Sequence, residues 1–500
     1  MDSIKAGSAV DDSAGNGIAR VVSIRLDSHA WPRRRVRRRV CLLAVIAVLA
    51  ACTSYEPKPL QPAQTAQQFA ARRLDAPELR EQIARILPQT SAVWPPAEWD
   101  RATLLAVALV SNPKLDIARA EVRAALAHEV AATQPANPDL SLQSEYARHD
   151  PHPWLYGFAL DLLVRSPGQK HLQTELAGLG TSNARWQLLE QVWTTRRGLI
   201  AALSDGATVQ HRLRLLDRLA AAQDRLVAIE EKRVAAGEDA PGELLTARQA
   251  RLEIAQQRAQ AQASANTAQA ALATALGLPP QALDGVAVHW PEWGEPPLLD
   301  DNKLRQSREQ ALLSRADLAA AIGDYAQSEN KLQQVVMRQY PQLHLSPGYY
   351  WDHGIAKFPF DVGFTLPLFA RGEIAEARAA REVSARRMLA LQAGIYGDIT
   401  AAERAEQGAR ESLASAEHGL QSLRQQEQQA LLGLRLGALG AEESIAAQIL
   451  TIRGELETLQ AREQLQAARN ALEDALHAPL SGPELELSHN LSVVAAEADR

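Results

Sequence analysis

The sequence predicts a mainly α-helical fold with a membrane β-barrel portion, built from two tandem helix–β-hairpin–long-helix repeats. Three observations predict it. Ala108-Leu109-Val110-Ser111 through Pro138-Asp139-Leu140-Ser141-Leu142 returns as Ala311-Leu312-Leu313-Ser314 through Pro341-Gln342-Leu343-His344-Leu345, at a constant offset of 203 residues. That period is far longer than the roughly 20–50 residues of solenoid repeats, so a whole supersecondary unit is duplicated. After each echoed helix the apolar period changes from 3.6 to 2, the change from helix to strand. Beyond each strand pair, proline is absent between Pro167 and Pro241 and again between Pro367 and Pro479.

The chain has 500 residues and a formal net charge of −6. Residues 1–51 read as a leader and signal peptide. A basic cluster from Arg33 to Arg39 precedes an apolar run from Cys41 to Ala51, which is shorter than the roughly 20 residues a spanning helix needs. Leu49-Ala50-Ala51-Cys52 resembles the bacterial lipobox, which implies diacylation of Cys52 as the first mature residue, and Thr53 after it implies the outer membrane. The first thirty or so residues are long for a leader and suggest a later true start. Cys41 and Cys52 are the two cysteines, so the mature chain holds no thiol pair for a disulfide or a Cys-x-x-Cys metal site. Cleavage removes nine Lys/Arg and four Asp/Glu, taking the net charge from −6 to −11. An acidic chain without basic blocks offers no footprint for nucleic acid.

Residues 52–100, rich in Pro, Gln and Ala, read as an extended N-terminal arm long enough to connect a lipid anchor to the body. Repeat 1 spans 101–277, a linker 278–302, repeat 2 303–478, and a tail 479–500. Ser111-Asn112-Pro113 is a helix start, with a capping side chain ahead of Pro at the first helical position, and that helix runs to about Gln134. Its counterpart runs from about Lys303 to Gln339. Strands are expected at about 139–147 and 154–164, then at about 342–351 and 358–368. Leu140, Leu142 and Tyr146 alternate with polar residues, and Trp154, Tyr156, Phe158, Leu160 and Leu162 alternate with Gly157, Ala159 and Asp161. In the second copy Phe358, Phe360, Val362, Phe364, Leu366 and Leu368 oppose Asp361, Gly363 and Thr365. Runs of about ten residues with an aromatic-rich side suit transmembrane strands.

The long segments, about 169–236 and 373–436, are rich in Ala, Leu, Arg, Gln and Glu, all good helix formers. At 1.5 Å per residue the first is roughly 100 Å long. Each meets a Gly-containing turn and a returning helix, 243–276 or 442–477, with Ala-rich seams that imply coiled-coil packing. Four strands cannot close a barrel with a usable interior, and open edges are not tolerated in lipid. The strands must therefore close with other copies of the chain. Two copies supply eight strands, and three supply twelve and leave a lumen lined by Asp161, Asp361 and Thr365.

The lipobox, the Asn112-Pro113 start, the paired Pro-x-Leu-x-Leu, Leu366-Pro367-Leu368-Phe369 before Arg371-Gly372, and Arg233…Gly237…Glu243-Leu244-Leu245-Thr246-Ala247 together resemble the TolC-like outer-membrane efflux protein family over essentially the whole mature chain. Leu163-Val164-Arg165-Ser166-Pro167-Gly168 departs from the tidier strand exit of the second copy. The resemblance implies a homotrimer with a twelve-stranded β-barrel continuous with a periplasmic α-helical barrel. It implies an exit duct of a tripartite efflux pump, passing small molecules or ions passively through a gate. It also implies a periplasmic adaptor and an inner-membrane pump docked at the tips around Gly237 and Gly440, and outer-membrane lipid around the strands. Arg233, Glu238, Asp239, Arg435, Glu442 and Glu443 are the tip charges expected to form gate-closing pairs or cation-attracting rings, with Arg435 and Glu443 the first pair to test. The alternative is a periplasmic coiled-coil adaptor lipoprotein, which shares the lipobox and long helices but usually has one helical hairpin between β-rich domains.

No enzyme and no cofactor are expected. The acidic residues form no pair with His or Ser in a compact unit, and no Gly-rich phosphate loop occurs. His149, His152, Asp352 and His353 at the hairpin turns read as polar loop-tip residues rather than metal ligands.

Overall fold

The computed structural model describes residues 55–87, 93–238, 240–366, 369–482 and 484–485. The leader 1–51, the lipidation candidate Cys52, the tip residue Asp239, Pro367-Leu368 and the tail from 486 onward lie outside the described residues. The chain divides into Met1–Thr65 and Ala66–Arg500. In the first unit the described residues enter α1 (Pro62–Ala70), where Thr65 Oγ1 donates to the Pro62 carbonyl at 3.0 Å. No helix among the described residues is long and apolar enough to cross a membrane.

The arm departs from the expected extended form, because Pro62 and Pro77 start helices rather than break the chain. Proline's fixed φ and missing N–H suit the first helical turn. α2 (Pro77–Ile86) buries Leu79, Ile83 and Ile86, an apolar stripe hidden within a polar composition. The arm ends in β1 (Trp99–Asp100), which pairs in parallel with β4 (Val288–His289) of the linker. α3 (Arg101–Ser111) starts where the Asp100 carboxylate accepts the Thr103 N–H at 2.7 Å, and it is buried from Arg101 to Leu109. α4 (Pro113–Thr133) follows a break at Asn112, whose side chain accepts the Lys114 N–H at 2.9 Å.

The second copy repeats that break, where the sequence suggests one continuous helix. α7 (Asp301–Ser314) and α8 (Ala316–Met337) meet at Arg315, which is extended at φ −60°, ψ 143° and lies 203 residues after Asn112. Arg315 carries no local breaking signal. It is held by tertiary and local partners: its guanidinium donates to both Asp317 oxygens (3.0 and 2.7 Å) and to the Ala475 carbonyl.

The two strand pairs share one sheet. β2 (Asp139–Tyr146) pairs with β3 (Trp154–Val164), β3 with β5 (Gln342–Asp352), and β5 with both β6 (Ile355–Lys357) and β7 (Phe360–Thr365), all antiparallel. The fourth strand differs from the expected run at 358–368. It begins at Ile355 because His353 (φ 47°) and Gly354 (φ 95°) make a two-residue turn, and it is interrupted at Phe358-Pro359, where proline has no N–H to give the ladder.

The long helices are α5 (Pro167–Ala236, 70 residues), α6 (Pro241–Leu276, 36), α9 (Arg371–Arg435, 65) and α10 (Ala441–Leu476, 36). Ser166 caps α5 and Pro167 opens it, so the irregular strand exit of repeat 1 is a helix start. Coiled-coil periodicity is visible in the pairs that join these helices. Asp217, Asp224 and Glu231 recur every seven residues along α5 and take Arg258, Arg251 and Arg248 of α6. On another side of α5, Arg212, Arg218, Arg225 and Arg233 meet Glu463, Glu455, Gln448 and Glu442 of α10 in antiparallel order. These rungs are mostly exposed, and each contributes about 0–1 kcal/mol. The main adhesion is apolar: α2, α3 and α4 close on Leu188, Val192, Leu199, Ile200 and Leu203 of α5, while a second core joins Ile395 and Ile399 of α9 to Leu318, Leu472 and Leu476.

Candidate functional site

Residues paired across the ladder share a face of the sheet, and alternate residues change face. One face carries Leu140, Leu142, Tyr146, Trp154, Tyr156, Phe158, Leu162, Phe360, Val362 and Phe364. These side chains are exposed, Leu142 at 78% and both Phe360 and Phe364 at 62%. Large apolar side chains left open in such number mark an interaction surface rather than a solvated one. The opposite face carries polar side chains, with Leu155, Leu163 and Tyr350 among them. Asp139 stands opposite Asp161, and Ser346 opposite Asp361. Ser346 Oγ donates to Asp161 Oδ1 at 3.2 Å, and His344 Nδ1 lies 3.3 Å from Asp161 Oδ2. Asp139, Asp161, Ser346 and Asp361 thus form one row across the sheet, and Thr365 pairs with Gln342 farther along the ladder.

Sequence reasoning misses Ser346 and Asp139 as members of this row, and His344 as a contact of Asp161, although the echo places His344-Leu345-Ser346 beside Ser141-Leu142-Gln143. The sheet has two edges without a partner strand among the described residues, β2 on one side and β6 with β7 on the other.

At the far ends of the long helices the two tips are built alike. The Gly237 (φ 77°) N–H donates to the Val234 carbonyl at 3.1 Å and the Glu238 N–H to that of Arg233 at 2.9 Å; Gly437 (φ 71°) and Ala438 do the same to Leu434 and Gly433. This is the Schellman cap, which places a left-handed residue just past the helix. Within this chain Arg435 and Glu443 form no ion pair with each other. Arg435 ends α9, where a cation complements the helix dipole. The Glu443 carboxylate folds back over Gly440, so close that a Cβ there would lie 2.6 Å from Oε2. At the tips an ion pair crosses between the repeats, Arg233 Nη1–Glu442 Oε2, at 2.6 Å and about one-third exposed.

A third region escapes sequence reading. Arg196 of α5 is buried between Glu473 of α10 (2.5 Å) and Glu484 (2.6 Å), and Glu484 also lies 3.6 Å from Arg101. Burial opposes the Arg196 charge, but the two glutamates outweigh it and raise its pKa. Next to this group, burial pushes Asp474 up to about 6 and His477 down to about 4, with Arg315 adding to the second shift. Burial also raises Glu190, while at Asp317 the hydrogen bonds from Arg315 overcome burial and lower it. No local signal marks these residues; Arg196 and Glu484 alone lie 288 positions apart.

No protein-family model and no curated protein matches the sequence. Solved structures do. The outer membrane protein VceC of Vibrio cholerae matches at a TM-score of 0.62 with 16% identity, covering 76% of this chain and 97% of that one. The CmeC outer membrane channel of Campylobacter jejuni matches at 0.64 with 14% identity, covering 79% and 89%. CusC, whose structures concern transmembrane channel formation, matches at 0.61 with 16% identity, covering 85% and 100%. At these identities the likeness is one of fold, and it spans nearly the full length of each neighbour. The tandem strand pairs and long helical hairpins of this chain are therefore the fold of the TolC-like outer-membrane channels.

Proposed function

We propose that this chain is the outer-membrane exit duct of a tripartite efflux or related export system, conducting small molecules or ions passively from the periplasm to the exterior. The observation that carries this reading is the sheet, with an exposed aromatic face, an opposite face that holds the acidic row and two edges unpaired among the described residues. In lipid such edges must be closed. The β2 edge of one copy meets the β6–β7 edge of the next, a head-to-tail contact that generates a ring. Three copies of the four-strand unit make a twelve-stranded barrel, wide enough for a lumen in which the Asp139, Asp161 and Asp361 row turns inward. The long helices continue that wall across the periplasm. Diacylated Cys52 anchors each chain to outer-membrane lipid. A periplasmic adaptor and an inner-membrane pump dock at the tips around Gly237 and Gly440. The adaptor alternative calls for one helical hairpin, and this chain has two, α5–α6 and α9–α10.

Reconstitution tests the reading. Detergent-extracted protein is expected to run as a heat-modifiable trimer and to open discrete conductances in planar bilayers. A monodisperse monomer that leaves the bilayer closed sinks the proposal. In the same bilayers, the Arg233–Glu442 rung is expected to hold the tips together, so Glu442→Gln raises conductance by a small factor, in keeping with a partly exposed pair worth about 1 kcal/mol at most. Arg435→Ala leaves it unchanged.

A further inference from the structure

In repeat 1 the returning helix α6 ends at Gly277 (φ 71°), whose N–H and that of Leu278 complete a Schellman cap on Thr274 and Ala273. In repeat 2, 200 residues later, α10 ends in the same cap on Asp474 and Glu473, but the left-handed residue is His477 (φ 48°). Glycine is the ordinary occupant of that conformation, and histidine adopts it against steric resistance. The imidazole stacks on Trp193, with ring centroids 5.2 Å apart, and its Nδ1 lies 3.6 Å from Glu190 Oε2. That carboxylate oxygen is buried and has no hydrogen-bond partner. One ligand atom each from Glu190, Asp317 and His477 all lie within 4.8 Å of one another, and among the described residues no other three His, Cys, Asp or Glu side chains converge so closely.

We propose that Glu190, Asp317 and His477 form a binding site for a divalent transition-metal ion, with zinc the best fit, which clamps the end of α10 to α5 and α8. One imidazole nitrogen and two carboxylates form a mixed N/O donor set that suits zinc, with water left to complete a tetrahedron. Calcium and magnesium ask for six or more oxygens, which this place does not offer. Zinc–ligand bonds of about 2.0–2.2 Å would draw the three donor atoms together by roughly an ångström, within the reach of side-chain rotation. Burial keeps His477 neutral at pH 7, the form that ligates. Arg315 grips both Asp317 oxygens and aims the carboxylate, as partners behind a metal ligand commonly do. Its charge, with that of Arg197 nearby, also opposes a cation and limits the affinity.

The test uses the full chain in detergent, stripped with a chelator, exchanged into chelator-free buffer at neutral pH and titrated calorimetrically with zinc chloride. One zinc per chain is expected. His477→Asn, which tolerates the left-handed backbone, and Glu190→Gln are each expected to weaken binding at least tenfold. A variant with His149, His152 and His353 all changed to Ala keeps the site's zinc. The proposal is overturned if both site variants, shown folded by circular dichroism, bind zinc like the parent, or if the only bound zinc disappears with the hairpin-turn histidines. Because the two site variants lie on different helices, either one decides the matter if the other fails to fold. Zinc binding here is independent of whether the chain conducts.

Discussion

The ends of the two returning helices solve one backbone problem with opposite chemistry. In repeat 1 the end of α6 is apolar and tight: Ala273 and Leu276 lie in the main core, and a Cβ on Gly277 would sit 2.3 Å from the Ser111 carbonyl oxygen. In repeat 2 the same positions are Glu473, Leu476 and His477, and the glutamate is buried against Arg196. The residues at the two helix breaks differ as well. Asn112 reaches the Ala275 carbonyl at 2.8 Å with a short side chain, whereas Arg315 reaches the Ala475 carbonyl with a long one. Where Gly277 meets the Ser111 carbonyl, His477 instead carries an imidazole that stacks on Trp193. A duplicated unit thus keeps its hydrogen-bond plan while one copy acquires a polar, titratable junction.

The largest test of this contrast is Gly277→His, which copies repeat 2 into repeat 1. It adds a side chain both to a left-handed backbone and to a space that holds a carbonyl. A loss above about 3 kcal/mol is expected, in the class of severe overpacking and strain, seen as failure to accumulate or early protease cleavage. The reverse change, His477→Gly, removes left-handed strain of about 1 kcal/mol and is expected to shift chelator-treated protein by no more than that. Equal losses at both positions would break the comparison. Next in size is Glu473→Gln, which leaves buried Arg196 with Glu484 alone. Removing one partner of a buried ion pair costs about 3–5 kcal/mol, and the surviving Glu484 places this variant at the lower end, read as a drop in thermal midpoint. Smaller than this is Asn112→Ala, which loses the Lys114 cap and the Ala275 bond, for about 1–2 kcal/mol by the same measurement. If Asn112→Ala proved as damaging as Glu473→Gln, the break rather than the ionic cluster would be what secures the junction.

Much of this molecule is legible before folding. The echo locates both strand pairs, since β2 and β5 begin 203 residues apart at Asp139 and Gln342, and β3 (Trp154–Val164) lies on the alternating run expected at about 154–164. Pro359 hides the true form of the fourth strand: its alternation survives, while its missing N–H divides the ladder. Of the tip residues, Gly237 announces its cap because a left-handed conformation selects glycine locally. The partner of Arg233 does not announce itself, because Glu442 lies on another helix 209 residues away and Glu443 beside it is an equally good candidate by charge.

The sequence by itself determined the duplication, the approximate lengths of the long helices and the two-faced strands. Each of these rests on periodicity, propensity or capping within a few neighbouring residues. The tertiary structure alone decided that the chain breaks at Arg315, that Arg196 is buried between Glu473 and Glu484, and that Glu190, Asp317 and His477 converge. Those outcomes depend on which side chains meet when helices pack. Burial then turns ordinary surface residue types into a cluster whose charges and protonation states are set by one another.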